Sequence, residues 1–158
     1  YFMIGLFFKT FLILLIGLSD CFSKDFIDKG HYIIDLKNRV EWLKCSIGQQ
    51  WDGKTCIGAP VKVTLKEAKA LKLQAGEELG GEWRLPVKEE LMSLICMECP
   101  LVKINLNVFP ETPSGIFWSS SRNWWSPKFF WSVNFYTGHS YGRFVPQKEL
   151  FVRFLRDR

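Results

Sequence analysis

The residues with the widest chemical reach lie in Arg122-Asn123-Trp124-Trp125-Ser126-Pro127-Lys128. Two adjacent indoles between cations offer ring faces for stacking and charge for an anionic ligand. Tyr141, Arg143 and Lys148 follow on a stretch that reads as the neighbouring hairpin. This set suits a sugar ring or an anionic polymer, and Trp and Arg are also common anchors of protein interfaces. Aromatics interleaved with bases can hold single-stranded nucleic acid, a partner not expected of an exported chain. The plainer arrangement packs Trp124 over a sheet and leaves Trp125 half-exposed, because burying both indoles is harder than burying one.

Other chemistries find less support. Ser119-Ser120-Ser121 lacks the Gly-x-Ser-x-Gly elbow of a serine hydrolase. His139 has no signalled nucleophile or carboxylate partner, and His31 stands alone. Cys96-Met97-Glu98-Cys99 resembles half a zinc site, but a second closely spaced pair is missing. No enzyme, metal or cofactor is therefore expected.

The first residues set the compartment. Lys9 precedes an apolar run from Phe11 to Leu18, followed by Ser19, Cys21 and Ser23. That is the layout of a secretory signal peptide, so residues 1–23 are expected to be a signal peptide or an uncleaved membrane anchor. Leu18-Ser19-Asp20-Cys21 is a weak lipoprotein box. Export favours disulfides. Cys45, Cys56, Cys96 and Cys99 allow three pairings. Gly48, Asp52 and Gly53 let the first loop turn back, so adjacent pairing is expected.

The chain has 158 residues, 47% apolar and 16% aromatic, which suits one domain with a ring-built core. The net charge of +5 arises wholly after residue 113. There Arg122, Lys128, Arg143, Lys148, Arg153, Arg156 and Arg158 face only Glu149 and Asp157. Such asymmetry steers acidic partners, unless it is an ordinary solvated face with one or two structural arginines.

The elements that must position these groups are legible in outline. Tyr32–Asp35 and Val40–Leu43 read as a hairpin. Thr64-Leu65-Lys66-Glu67 is a capping box that predicts a helix from Leu65 to Gln74, stopping before Gly76 and burying Leu65, Ala68, Leu71 and Leu73. Gly81-Glu82-Trp83-Arg84-Leu85-Pro86 reads as a structural keystone. In it Trp83 and Leu85 are buried, Arg84 binds loop carbonyls or a carboxylate at a helix start, and Pro86 opens a second helix. Leu91, Leu94 and Ile95 form that helix's buried face, and Val87 stands where a Ser or Thr cap would be best. Residues 96–115 form a long loop pinned by Ile104, Val108 and Phe109. Strands follow at Phe117–Ser120, Phe129–Phe135, Ser140–Val145 and Phe151–Arg156. In the second, Phe129, Trp131, Val133 and Phe135 are expected to face the core and Phe130, Ser132 and Asn134 the solvent.

The order of landmarks resembles the bacterial exported family DUF1566, known also from the C-terminal domain of a Legionella collagen-like adhesin. The matching pieces include Val40-Glu41-Trp42, Cys45-Ser46-Ile47-Gly48-Gln49, Trp51-Asp52-Gly53, Cys56-Ile57-Gly58 and Trp83-Arg84-Leu85-Pro86. Phe109-Pro110-Glu111-Thr112-Pro113, Phe117-Trp118-Ser119-Ser120, Trp131-Ser132-Val133-Asn134-Phe135 and Val152-Arg153-Phe154-Leu155-Arg156 continue the match to residue 157. The resemblance implies an α+β, C-type lectin-like fold, with two helices flanking a small, mainly antiparallel sheet with long loops, over residues 24–158. It also implies a periplasmic, outer-membrane-associated or extracellular place. Two departures stand out: Val87 replaces Ser or Thr, and the close spacing of Cys96 and Cys99 leaves that pairing open. Glu111-Thr112-Pro113 is not the calcium-binding loop of C-type lectins, so calcium is not expected. No cysteine follows Cys99, so the thiol oxidation of the formylglycine-generating enzymes, which are similar in outline, is not expected either.

The function expected on these grounds is non-enzymatic: an exported module that recognises a glycan or anionic polymer through residues 122–128 and 141–148. The alternative is a structural subunit of an envelope or surface assembly, making protein–protein contacts through the same aromatic surface. Membrane contact is expected only through residues 1–23.

Overall fold

The computed structural model describes residues 25–158; residues 1–23, expected from sequence to be a signal peptide or anchor, lie outside them. Three antiparallel sheets and two helices make an α+β domain. The first sheet has the order β1 (Phe26–Asp28), β2 (Tyr32–Asp35), β3 (Val40–Leu43), β9 (Leu155–Asp157). The expected hairpin is its centre, with Tyr32 opposite Leu43 and Asp35 opposite Val40. Its turn closes on Asp35. The buried carboxylate accepts from the backbone and side chain of Asn38 and, at 3.3 Å, from the Trp42 indole. A small hairpin follows, β4 (Gln50–Trp51) with β5 (Cys56–Ile57).

Helix α1 (Leu65–Leu79) starts at the predicted capping box: Thr64 Oγ1 accepts from Glu67 N–H, and the Glu67 carboxylate accepts from Thr64 N–H. It does not stop before Gly76. It runs to Gly80, whose φ of 72° suits glycine. Gly76 serves packing instead, since a Cβ there would meet the Gly81 carbonyl at 2.9 Å. Ala75 rather than Leu73 completes the buried stripe, and Leu73 is left exposed.

Helix α2 (Lys88–Ser93) is short and buries Leu91, with Leu94 buried at its C-terminal end and Ile95 partly so. Val87 offers no side-chain cap. The Glu90 carboxylate accepts from Val87 N–H at 2.7 Å, and the hydroxyl of Ser121, from a distant strand, accepts from Lys88 N–H at 2.9 Å. The missing cap is thus supplied in three dimensions. Ser121→Ala should cost about 1 kcal/mol in urea unfolding; no change would show that water replaces the hydroxyl.

The third sheet is β6 (Ile116–Arg122), β7 (Phe130–Asn134) and β8 (His139–Phe144). Both its faces are covered, which alters the assignment of β7. Phe117, Val133 and Phe135 join Trp42, Leu91, Leu94, Ile104, Val108 and Phe109 in one core. Trp118 and Phe130 join Leu65, Ala68, Trp83, Leu85, Val152 and Phe154 in another. Phe130 and Ser132 are therefore buried, while Trp131, beside a bulge in the β7–β8 register, is half-exposed. The C-terminal segment joins the sheets. Phe151 bridges Phe117, Arg84 bridges Leu155, and β9 pairs with β3.

The keystone segment behaves as expected. Trp83 and Leu85 are buried, and Arg84 grips Glu90, near the start of α2, with both terminal nitrogens at 2.9 and 2.7 Å. Arg84 also reaches Asp157 at 2.6 Å. Both disulfides form, Cys45–Cys56 and Cys96–Cys99, with Cα separations of 5.5 and 5.4 Å. In the long loop Ile104, Val108 and Phe109 are buried, and Lys103 Nζ donates to the Met97 and Cys99 carbonyls. Among the described residues no helix is long and apolar enough to cross a membrane.

Candidate functional site: an exposed tryptophan pair among cations

Sequence dictates a tight connection between β6 and β7, and Asn123 builds it. Its N–H donates to the Phe129 carbonyl at 2.9 Å, while its Oδ1 accepts from Trp125 N–H at 3.0 Å. Its Nδ2 donates to the Gly142 carbonyl at 2.8 Å and fastens the loop to β8. Phe129 N–H returns to the Ser126 carbonyl at 2.9 Å. Gly142 cannot carry a side chain, because a Cβ would lie 2.9 Å from the Trp131 ring and 3.0 Å from Asn123 Nδ2. The loop is held before any ligand arrives.

Held this way, the two indoles cannot reach the core. Trp124 is 71% and Trp125 78% exposed, and they stack on each other with centroids 3.7 Å apart. The plainer arrangement, with Trp124 over the sheet and Trp125 half-exposed, does not occur. The reason is local: the Asx turn at Asn123 aims both rings outward together.

The cations around them rest on rings rather than on carboxylates. Arg122, the last residue of β6 rather than part of the loop, lies 5.2 Å from the Phe130 ring. Lys128 lies 5.0 Å from Phe129, and Arg143 5.0 Å from Tyr141. Lys88 sits 4.5 Å over Trp131, though it also meets Glu89 at 3.2 Å. Among the described residues Arg122, Lys128 and Arg143 form no ion pair, so their charge is free for a ligand.

The structure joins Trp124, Trp125 and Lys128 on one loop, with Arg122 at the strand end that leads into it, and places Tyr141 and Arg143 on either side of the anchoring Gly142. It does not join Lys148. That residue lies after β8 and lines a separate cleft with Lys62, Gly115 and Ile116, by the start of β6. Since β6 spans about 20 Å from Ile116 to Arg122, Lys148 belongs to the other end of the sheet. The charge excess is also smaller than the sequence count. Arg153 is fully buried, and Arg156 pairs with Glu41 at 2.6 Å. Asn123, though inside the sequence-marked loop, Lys88, and Trp131, expected to face the core, were not among the candidate contacts. Asn123 carries a local signal as a turn-former, whereas Lys88 arrives from another helix and carries none.

The exposed aromatic loop, the Cys45–Cys56 hairpin and the Trp83–Pro86 keystone now stand in one domain, and the model of the family called the Lcl C-terminal domain matches residues 31–156. The chain belongs to this family. The match is of the DUF1566 type that the sequence landmarks suggested, and it runs from β2 into β9. No curated protein and no solved structure matches the chain. Among the described residues of this Lcl C-terminal domain, no group of three or more His, Cys, Asp or Glu side chains is placed to hold a metal ion.

Proposed function

We propose that this Lcl C-terminal domain is an exported, non-enzymatic, adhesin-like surface module of C-type lectin-like fold that binds an anionic glycan or polymer. The observation that carries the reading is the Trp124–Trp125 stack, exposed on a braced loop between cations that lack ion pairs. Ring faces contribute stacking against sugar rings, and Arg122, Lys128 and Arg143 contribute charge with little desolvation. Family membership and two disulfides support a surface or periplasmic setting.

Binding to immobilised dextran sulfate tests the reading. The Trp124→Ala/Trp125→Ala double variant should bind at least about tenfold more weakly, a loss of roughly 1.4 kcal/mol or more. Its melting temperature should hold, because both rings are exposed. Wild-type binding should weaken steeply as salt rises. Unchanged binding in the double variant would reject this face as the polymer site. Exposed Trp pairs also anchor protein contacts. A salt-insensitive loss of self- or partner assembly in the same variant would favour the structural-subunit alternative.

A further inference from the structure

A cleft of about 1030 Å³ opens between α1 and the chain from Cys45 to Val63. It shares no residue with the Trp124–Trp125 face. Its floor is apolar, with Ile47, Val63, Leu71 and Ala75, and its rim is polar, with His31, Gln50, Trp51, Gln74 and Glu78. The size is at the upper end of the small-ligand range, and apolar floors with a few convergent polar groups are characteristic of such sites.

The far wall is fixed in place. Cys45–Cys56 staples it, Ile47 N–H donates to the Val152 carbonyl, and Val61 N–H donates to the Ile47 carbonyl. Gly48, at φ 95°, lies so close to the irregular stretch at 59–61 that a Cβ would meet the Ala59 carbonyl at 2.7 Å and Val61 N at 2.8 Å. Two rim groups are already committed. Gln49 accepts from Ser46 N–H and donates to the Glu111 carbonyl, while Glu67 caps α1.

The rest are not. Among the described residues the Trp51 indole N–H, the Gln50 side-chain amide and the His31 ring nitrogens make no hydrogen bond. Glu78 accepts from Gln74 at 2.7 Å through one oxygen and keeps the other free. Burial, and then the Arg156 charge, hold His31 below its ordinary value, so it is neutral at pH 7.

This free set mixes donors and acceptors. Hydroxyl groups match such a set, because each both donates and accepts. Glu67 and Glu78 disfavour an anion. A cation is disfavoured too, because Lys44 Nζ already sits 3.9 Å from the Trp51 ring centroid. We infer that the cleft is a second binding site, for a short uncharged saccharide, with Trp51, Gln50, His31 and Glu78 as its polar contacts. This site is independent of the polymer face.

The test uses the purified full chain, ¹⁵N-labelled, titrated with N,N′-diacetylchitobiose, cellobiose and mannobiose. At least one sugar should give saturable shifts at the Trp51 indole N–H and the Gln50 amide, unchanged by added salt and retained in Trp124→Ala/Trp125→Ala. Gln50→Ala/Glu78→Ala removes two exposed side chains and should keep the fold while weakening binding roughly tenfold or more. Glu78→Gln, which keeps a hydrogen-bonding group, should bind closer to wild type. Shifts confined to Trp124 and Trp125, no saturable shift with any of the three sugars, or saturation by oligolysine in their place would each overturn the assignment. None of these results bears on dextran sulfate binding, so failure here leaves the reading of the tryptophan pair standing.

Discussion

Arg153→Ala should lower the unfolding free energy by about 3–5 kcal/mol, from the cavity it opens and the buried acceptors it strands. Arg153 is fully buried, yet among the described residues no carboxylate pairs with it. It is solvated by the protein. One terminal nitrogen donates to the Leu43 carbonyl at 2.8 Å and to the Lys44 carbonyl; the other donates to Ser46 Oγ at 3.2 Å and Thr112 Oγ1 at 2.7 Å. The Phe109 ring lies 4.9 Å from the guanidinium carbon. Burial pushes the guanidinium down to about 9, which still leaves it charged at neutral pH. Only Nε lacks a partner.

The arrangement ties the C-terminal segment at Arg153 to two separate stretches of chain: residues 43–46, where β3 runs into the Cys45 loop, and the long loop at Thr112. Truncation opens a cavity and strands four acceptors at once. Arg153→Met separates these effects. It fills much of the volume but satisfies no acceptor, so it should fall between wild type and Arg153→Ala in urea midpoint. If Arg153→Met matched wild type, the four hydrogen bonds would add nothing net, and the network's role would be packing alone. Arg153→Lys keeps charge but loses the fork, and should also fall short of wild type.

Arg153 also shows where sequence reasoning stops. In Val152-Arg153-Phe154-Leu155-Arg156 nothing local distinguishes an arginine that points inward from one that points out. Its acceptors lie about 40 and 110 residues away in sequence. Signals that depend on neighbours within one turn were readable: the Thr64 capping box, the β2–β3 hairpin, the Pro86 helix start and the pins of the long loop. Signals that depend on distant partners were not. Gly76 looks like a stop and is a packing glycine, because Gly81 returns against it. Val87 looks uncapped and is served by Ser121. The β7 strand alternates in sequence, but α1 and α2 cover opposite sides of its sheet, so Phe130 is buried as well as Val133. For the site, residue types and spacing located the tryptophan loop, and Asn123 decided that both rings face outward. The cleft beside α1 had no signature at all, since its walls are brought together only by folding.

That cleft makes the Cys45–Cys56 bond the second sensitive point. Cys45→Ser/Cys56→Ser should destabilise the domain by about 3 kcal/mol, from a closed loop with a sequence separation of 11. Cys96→Ser/Cys99→Ser should cost only about 1.5 kcal/mol, because its separation is 3 and the unfolded chain gains little freedom. Local bonds widen the contrast. The Cys96–Cys99 turn keeps the Lys103 ammonium on two of its carbonyls after the sulfurs part. The Cys45–Cys56 segment holds Gly48, Trp51 and the far wall of the cleft, and the β4–β5 hairpin within it has only two residues per strand. Paired urea titrations of the two double variants check the ranking; equal losses would mean that loop entropy is not the governing term. The functional consequence is uneven. The tryptophan loop is braced by Asn123 and Gly142, far in sequence from either bond. Reduction should therefore abolish saccharide shifts at Trp51 at reductant concentrations that leave dextran sulfate binding intact.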